Sequence, residues 1–100
     1  EKYFLHQNFP NPFNPITTFH YQLPKQSHVN LTLYDMLGRE VRQLVNAIQE
    51  KGRKSVRWDA TDEKGSLVSA GVYLIQLQSG NPIGNSPNDF VQTRKILLIK

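Results

Sequence analysis

The sequence predicts an all-β sandwich of about seven antiparallel strands. Three observations carry that prediction. Apolar and polar side chains alternate with a period of two over several short stretches, Gly, Pro and Asn punctuate the chain at short intervals, and no segment sustains a helical period. The organising stretch is Ser69-Ala70-Gly71-Val72-Tyr73-Leu74-Ile75-Gln76-Leu77. From Val72 to Ile75 both parities are apolar or aromatic, as in a strand covered on both faces, and we read it as the central strand. Gly71 at its entrance offers a backbone free of Cβ clashes, and the β-branched and aromatic residues that follow suit a pleated surface.

Taken in order, Tyr3-Phe4-Leu5 is a short first edge strand. Gln7 to Pro15 holds three prolines within six residues, which removes backbone donors and fixes φ near −65°, so an extended segment crossing a sheet edge is expected. Phe9 and Phe13 are the two rings that would pin it; a proline-rich ligand for another protein is the functional alternative. Thr17 to Leu23 alternates with Phe19, Tyr21 and Leu23 on the buried side. After a turn over Pro24 to Ser27, Val29, Leu31 and Leu33 point inward, Gly38 suits a left-handed turn position, and Glu40 to Val45 returns as the hairpin partner. Asn46 to Gly52 has some helical character and is read as a turn. Lys54 to Trp58 places Val56 and Trp58 inward, Asp59 to Gly65 is a polar loop, Ser79 to Asp89 is a long connection, and Val91 to Lys100 closes the chain with Ile96 to Ile99 covered on two sides.

At 100 residues, one compact domain is the expectation, and a chain that opens on Glu1 rather than Met is read as a piece of a larger protein. The absence of cysteine excludes disulfides, thiolate chemistry and cysteine-bound zinc. The longest unbroken apolar run, Ile96 to Ile99, is far below the roughly 20 residues of a membrane-spanning helix. A net charge of +4, from 12 Lys and Arg against 8 Asp and Glu, favours encounter with acidic surfaces without selecting one.

Little in the chain points to catalysis. His6, His20 and His28 lack metal-ligand spacing, and no Gly-x-Ser-x-Gly elbow accompanies any serine. Asp59, Asp62 and Glu63 gather oxygen ligands before Gly65, a weak calcium candidate that does not match the twelve-residue loop pattern and carries the repelling Lys64. Lys51, Arg53, Lys54 and Arg57 form the densest basic cluster; without nearby exposed aromatics for base stacking it reads as a solvated face rather than a nucleic-acid surface. Asn30-Leu31-Thr32 fits a glycosylation acceptor by pattern, and its place in a strand argues for coincidence.

Four stretches, in order, resemble one family. Asn8 to Thr18, containing Asn11-Pro12-Phe13-Asn14-Pro15, is similar to the opening of the type A C-terminal sorting domains of type IX secretion. Val29 to Val45 with Gly38, Ser69 to Tyr73 with Gly71 and Tyr73, and Gln92 to Lys100 resemble its later blocks. Trp58-Asp59 followed by Asp62, Gly65 and Gly71-Val72-Tyr73 also resembles the immunoglobulin-like domain of the flagellar hook-capping protein.

The resemblance implies an immunoglobulin-like sandwich, residues 1–100 as a single sorting domain, with no enzymatic activity and no cofactor. It implies a cargo that passes through the periplasm to the cell surface or beyond, and as partners the outer-membrane translocon, a sorting peptidase that removes the domain, and cargo domains preceding it. Neither nucleic acid nor membrane insertion is expected. Translocon recognition falls by this resemblance on Lys95, Ile96, Leu97, Leu98, Ile99 and Lys100, with Thr93 and Arg94 adjoining, and edge addition to the last strand would be its mechanism. The long Ser79 to Asp89 connection departs from the family and would let the last strand exchange between two copies. The alternatives are a structural spacer and, with less in its favour, a carbohydrate-binding module, which would need two of Trp58, Tyr73 and Phe19 exposed on one face.

Overall fold

In a computed structural model the described residues are 2–81 and 86–99. They form seven strands: β1 Phe4–Leu5, β2 Thr17–Leu23, β3 Ser27–Tyr34, β4 Glu40–Gln49, β5 Gly52–Trp58, β6 Gly71–Asn81 and β7 Ser86–Leu98. Two sheets result, a three-stranded one ordered β1-β2-β5 and a four-stranded one ordered β4-β3-β6-β7, with every neighbouring pair antiparallel. The alternation read in the sequence decides the packing. Phe19, Tyr21 and Leu23 of β2 meet Val29, Leu31 and Leu33 of β3 and Tyr73, Ile75 and Leu77 of β6 in one buried core. Trp58 closes one end of that core, its ring edge-on to Tyr73 at 5.8 Å and tilted against Phe13 at 5.8 Å. The indole Nε1–H donates to the Thr61 carbonyl at 2.8 Å, so the ring is buried without an orphaned donor.

Five expectations are corrected. β6 is an interior strand, yet only one face is covered: Val72 is 38% exposed while Tyr73, Ile75 and Leu77 are buried. Likewise Ile96 and Leu98 are buried whereas Leu97 and Ile99 face solvent, because β7 has protein on one side only. Asn46 to Gln49 is strand, held by the pairs His28↔Ile48 and Val29↔Ala47; Ala47 and Ile48 are both exposed, so the apolar residues of this end mark no buried face. The β6–β7 hairpin is longer than read, since pairing runs on through Ser79↔Phe90 to Asn81↔Ser86. Most of the supposed connection is therefore ladder, and residues 82–85 lie outside the described residues. Finally, Phe13 anchors the proline-rich segment and Phe9 does not: Phe13 is 1% exposed, Phe9 78%.

Candidate functional site

The first and last sequence blocks meet in space. Phe13 forms a parallel bridge with Leu98: its amide donates to the Leu97 carbonyl and its carbonyl accepts from the Ile99 amide, each at 3.0 Å. The Asn11 side chain completes the contact by accepting from the Leu97 amide through Oδ1 at 3.0 Å. Upstream, Gln7 Nε2 donates to the Lys95 carbonyl at 3.0 Å. The extended geometry that proline imposes thus lets residues 7–13 run beside the outer edge of β7 and occupy backbone groups from Lys95 to Ile99. Pro12, Asn14 and Pro15 stay exposed, and Asn14 and Pro15 border a cleft of about 100 Å³ with Ala60, Leu67, Val68 and Leu98. The third block joins the same end through the pairs Gly71↔Leu98 and Tyr73↔Ile96, and Tyr73 donates its hydroxyl to the Ser69 carbonyl.

The candidate recognition residues divide by parity. Ile96 and Leu98 are core. Thr93, Lys95 and Leu97 project from the solvent side of β7, with Thr93 Oγ1 accepting from Gln76 Nε2 at 3.2 Å. Arg94 reaches the other way, donating from Nε to the Leu5 carbonyl at 2.7 Å with its guanidinium 5.4 Å from the Phe4 ring centre. Gln92 accepts the Leu5 amide at 2.8 Å, so β1 is tied to β7 by side chains although the two strands belong to different sheets. Lys100 lies outside the described residues.

At the β3–β4 turn Gly38 has φ +84, which glycine alone adopts without strain. Asp35 organises the turn by accepting from the Leu37 and Arg39 amides, both at 2.9 Å, and pairs with the Arg39 guanidinium at 2.8 Å. The Arg39 amide first, then its guanidinium and the Leu37 amide, hold the carboxyl below the usual carboxylate range.

The calcium candidates are dispersed. Asp59 accepts from the Thr61 hydroxyl and sits 3.8 Å from Arg42, Asp62 accepts the Lys64 and Ser66 amides, and Glu63 accepts the Gln43 amide at 2.8 Å. These bonds fasten the loop across the edge of β4, and among the described residues no three His, Cys, Asp or Glu side chains gather to hold a metal ion. A hollow of about 360 Å³ opens between β4 and β5 and is lined by Ile16, Arg42, Leu44, Arg57, Trp58 and Asp59. Trp58, Tyr73 and Phe19 are buried, so these three offer no aromatic platform of the kind a carbohydrate module needs.

Two antiparallel sheets packed through one core define an immunoglobulin-like β-sandwich. The FlgD Ig-like domain family matches residues 15–82, and the chain belongs to that family. Among solved structures it is similar to dimeric latent PorU from Porphyromonas gingivalis, at 20% identity and a TM-score of 0.71 over 98% of this chain and 9% of that one. PorZ from the same organism, an essential surface component of its type IX secretion system, is 19% identical with a TM-score of 0.61, over 98% of this chain and 11% of that one. FlgD from P. aeruginosa is 23% identical with a TM-score of 0.60, covering 82% of this chain and 58% of that one. At these identities the likeness is one of fold, and this chain corresponds to a small part of PorU and PorZ. No curated protein matches.

Proposed function

We propose that this domain is a non-catalytic C-terminal address for type IX secretion, of the type A kind, read by an outer-membrane translocon and removed by a surface peptidase. The observation that supports it is the junction of Asn11–Phe13 with Leu97–Ile99: the blocks that carry the sequence resemblance, 86 residues apart, form one hydrogen-bonded unit. The side chains available to a reader on β7 are Thr93, Lys95 and Leu97, because Ile96 and Leu98 serve the core. Membership in the FlgD Ig-like family favours a second reading, a structural spacer or assembly module.

Truncation after Arg94 would not separate the two, since it removes two core side chains along with the candidate signal. A reporter carrying the whole chain at its C-terminus, in a host with a working type IX system, does so when compared with a Lys95→Glu/Leu97→Ser version shown to fold. Export of the first and periplasmic retention of the second is expected. Export of neither, with both folded, overturns the sorting reading and leaves the spacer.

A further inference from the structure

The outer face of the three-stranded sheet has a charge distribution that neither packing nor the export reading uses. No carboxylate occurs within β1, β2 or β5; between residues 2 and 34, and again between 51 and 58, the chain has no Asp or Glu at all. Cross-strand register orders the face into rows. Phe4 and Gln22 lead across to Arg53, and Thr18 leads from Phe9 to Arg57. In the middle row the His6 amide bonds the His20 carbonyl at 2.9 Å, which sets the two histidines beside each other, and His20 is opposite Ser55. The β5 margin is therefore cationic and the β1 margin aromatic.

Two features mark the face as prepared for a partner. Arg53 and Arg57 are exposed and neither joins an ion pair among the described residues, although Arg39 and Arg42 elsewhere both do. Phe9, held on this face by two backbone bonds to Thr18 of 3.0 and 3.1 Å, leaves its ring 78% exposed. Arg53 and Arg57, four positions apart on one strand, stand about 13 Å from each other. Between Arg53 and the histidines a hollow of about 340 Å³ is lined also by Tyr21 and Lys54.

The form of the face selects among anionic partners. Stacking of sugars or bases needs several accessible ring faces; Phe4 is covered by His6 at 4.7 Å and by Arg94, which leaves Phe9 as the one exposed phenyl ring among the described residues, with His6 and His20 set apart from it in the middle row. A protein partner would need an apolar centre ringed by polar residues, whereas here the one exposed phenyl ring among the described residues is at the margin. An open sheet face bearing one sign of charge, with an unburied phenyl group at its rim, matches a bilayer surface, where phosphates meet arginine and an aromatic ring enters the interfacial layer. We propose that this face docks peripherally on an anionic lipid surface, with Arg53 and Arg57 on headgroup phosphates and Phe9 in the interfacial layer.

The test is co-sedimentation of the 100-residue chain with vesicles of equal parts phosphatidylglycerol and phosphatidylcholine, beside vesicles of phosphatidylcholine alone. Binding to the anionic vesicles that weakens with salt is expected. Arg53→Gln/Arg57→Gln lowers the partition coefficient about 30-fold, roughly 5-fold for each charge. Ser55→Glu, which puts a carboxylate between the arginines, also lowers it, and Phe9→Ser costs about 5-fold with an unchanged salt slope. Arg39→Gln/Lys64→Gln, which makes the same change in net charge elsewhere, leaves binding within about twofold. Three outcomes overturn the proposal: no sedimentation with anionic vesicles at low salt, equal loss in the control pair, or a face-dependent effect seen only with a soluble polyanion such as heparin. An exported chain that ignores vesicles overturns this inference alone, because it is independent of the sorting role.

Discussion

Replacement of Phe13 by Ala tests the claim that the proline-rich segment is part of the core and not a decoration on it. The ring is 1% exposed and packs on Trp58 at 5.8 Å, so the substitution removes a large buried side chain whose neighbours can close only partly around the gap. The expected loss is about 3–5 kcal/mol, a large part of the roughly 5–15 kcal/mol that holds a domain of this size. At about 4–8 °C per kcal/mol, the melting temperature should fall by about 12–40 °C. Phe9, two prolines away in the same segment but 78% exposed, gives the internal control: Phe9→Ala should stay within about 0.5 kcal/mol. Urea unfolding followed by far-UV circular dichroism measures both, with amide exchange at Ile99 as a local reporter, since its N–H donates to the Phe13 carbonyl. A loss below about 1 kcal/mol for Phe13→Ala, or equal losses for the two variants, refutes the assignment.

Two further outcomes are expected. Gly38→Ala should cost about 1 kcal/mol, and Gly38→Asn less, because φ is +84 while a Cβ there would meet nothing within 4 Å; thermal melts of the pair separate backbone strain from contact. Asp35, held below its ordinary value chiefly by the Arg39 amide, contributes stability that is present above the usual carboxylate value of about 4 and is lost as pH falls through the lower folded-state value. Asp35→Asn should therefore be less stable at neutral pH, with the gap in melting temperature closing toward pH of about 2; a gap constant across that range would show that the charge is not involved.

The strands that could be read in advance are those in which burial and alternation coincide. In β2 Phe19, Tyr21 and Leu23 share the inward parity, and in β5 Val56 and Trp58 do, so parity alone put Phe19, Tyr21 and Trp58 in the core with Val56 packed against it. In β4 only the end from Asn46 to Gln49 hid, because Ala47 and Ile48 are both exposed and the apolar letters there no longer mark one face. Val72, Leu97 and Ile99 misled in the opposite sense: apolar residues on the solvent face look, in sequence, like a second buried face. The polar end of the β6–β7 hairpin, from Gln78 to Asn81, pairs through backbone groups that leave no side-chain signature. The basic cluster around Arg53 was legible, but its aromatic neighbour was not. Phe9 reaches the same face through a bridge to Thr18, nine residues on, and Thr18 in turn pairs with Arg57.

The edge of β7 decides how a partner could read the last strand. Leu97 and Ile99 turn their backbone groups away from β6, toward Asn11 and Phe13, and the register is unbroken from Leu98 back to Phe90. By the same alternation the backbone of Val91 and Thr93 and the Lys95 amide face the open edge, whereas the Lys95 carbonyl and everything beyond it through the Ile99 amide is taken by Gln7, Asn11 and Phe13. Edge addition at Ile96 to Ile99 therefore requires residues 7–13 to leave first, while addition at Val91 to Lys95, or reading of the Thr93, Lys95 and Leu97 side chains, does not. Asn11→Ala separates these routes: it removes the acceptor of the Leu97 amide, whose exchange should quicken about 10-fold, and leaves the outward side chains of β7 in place. A translocon that pairs with the terminal backbone should bind this variant more tightly, because part of the competing contact is gone. One that reads side chains should bind it as it binds the parent, and that result would exclude edge addition at residues 96–99.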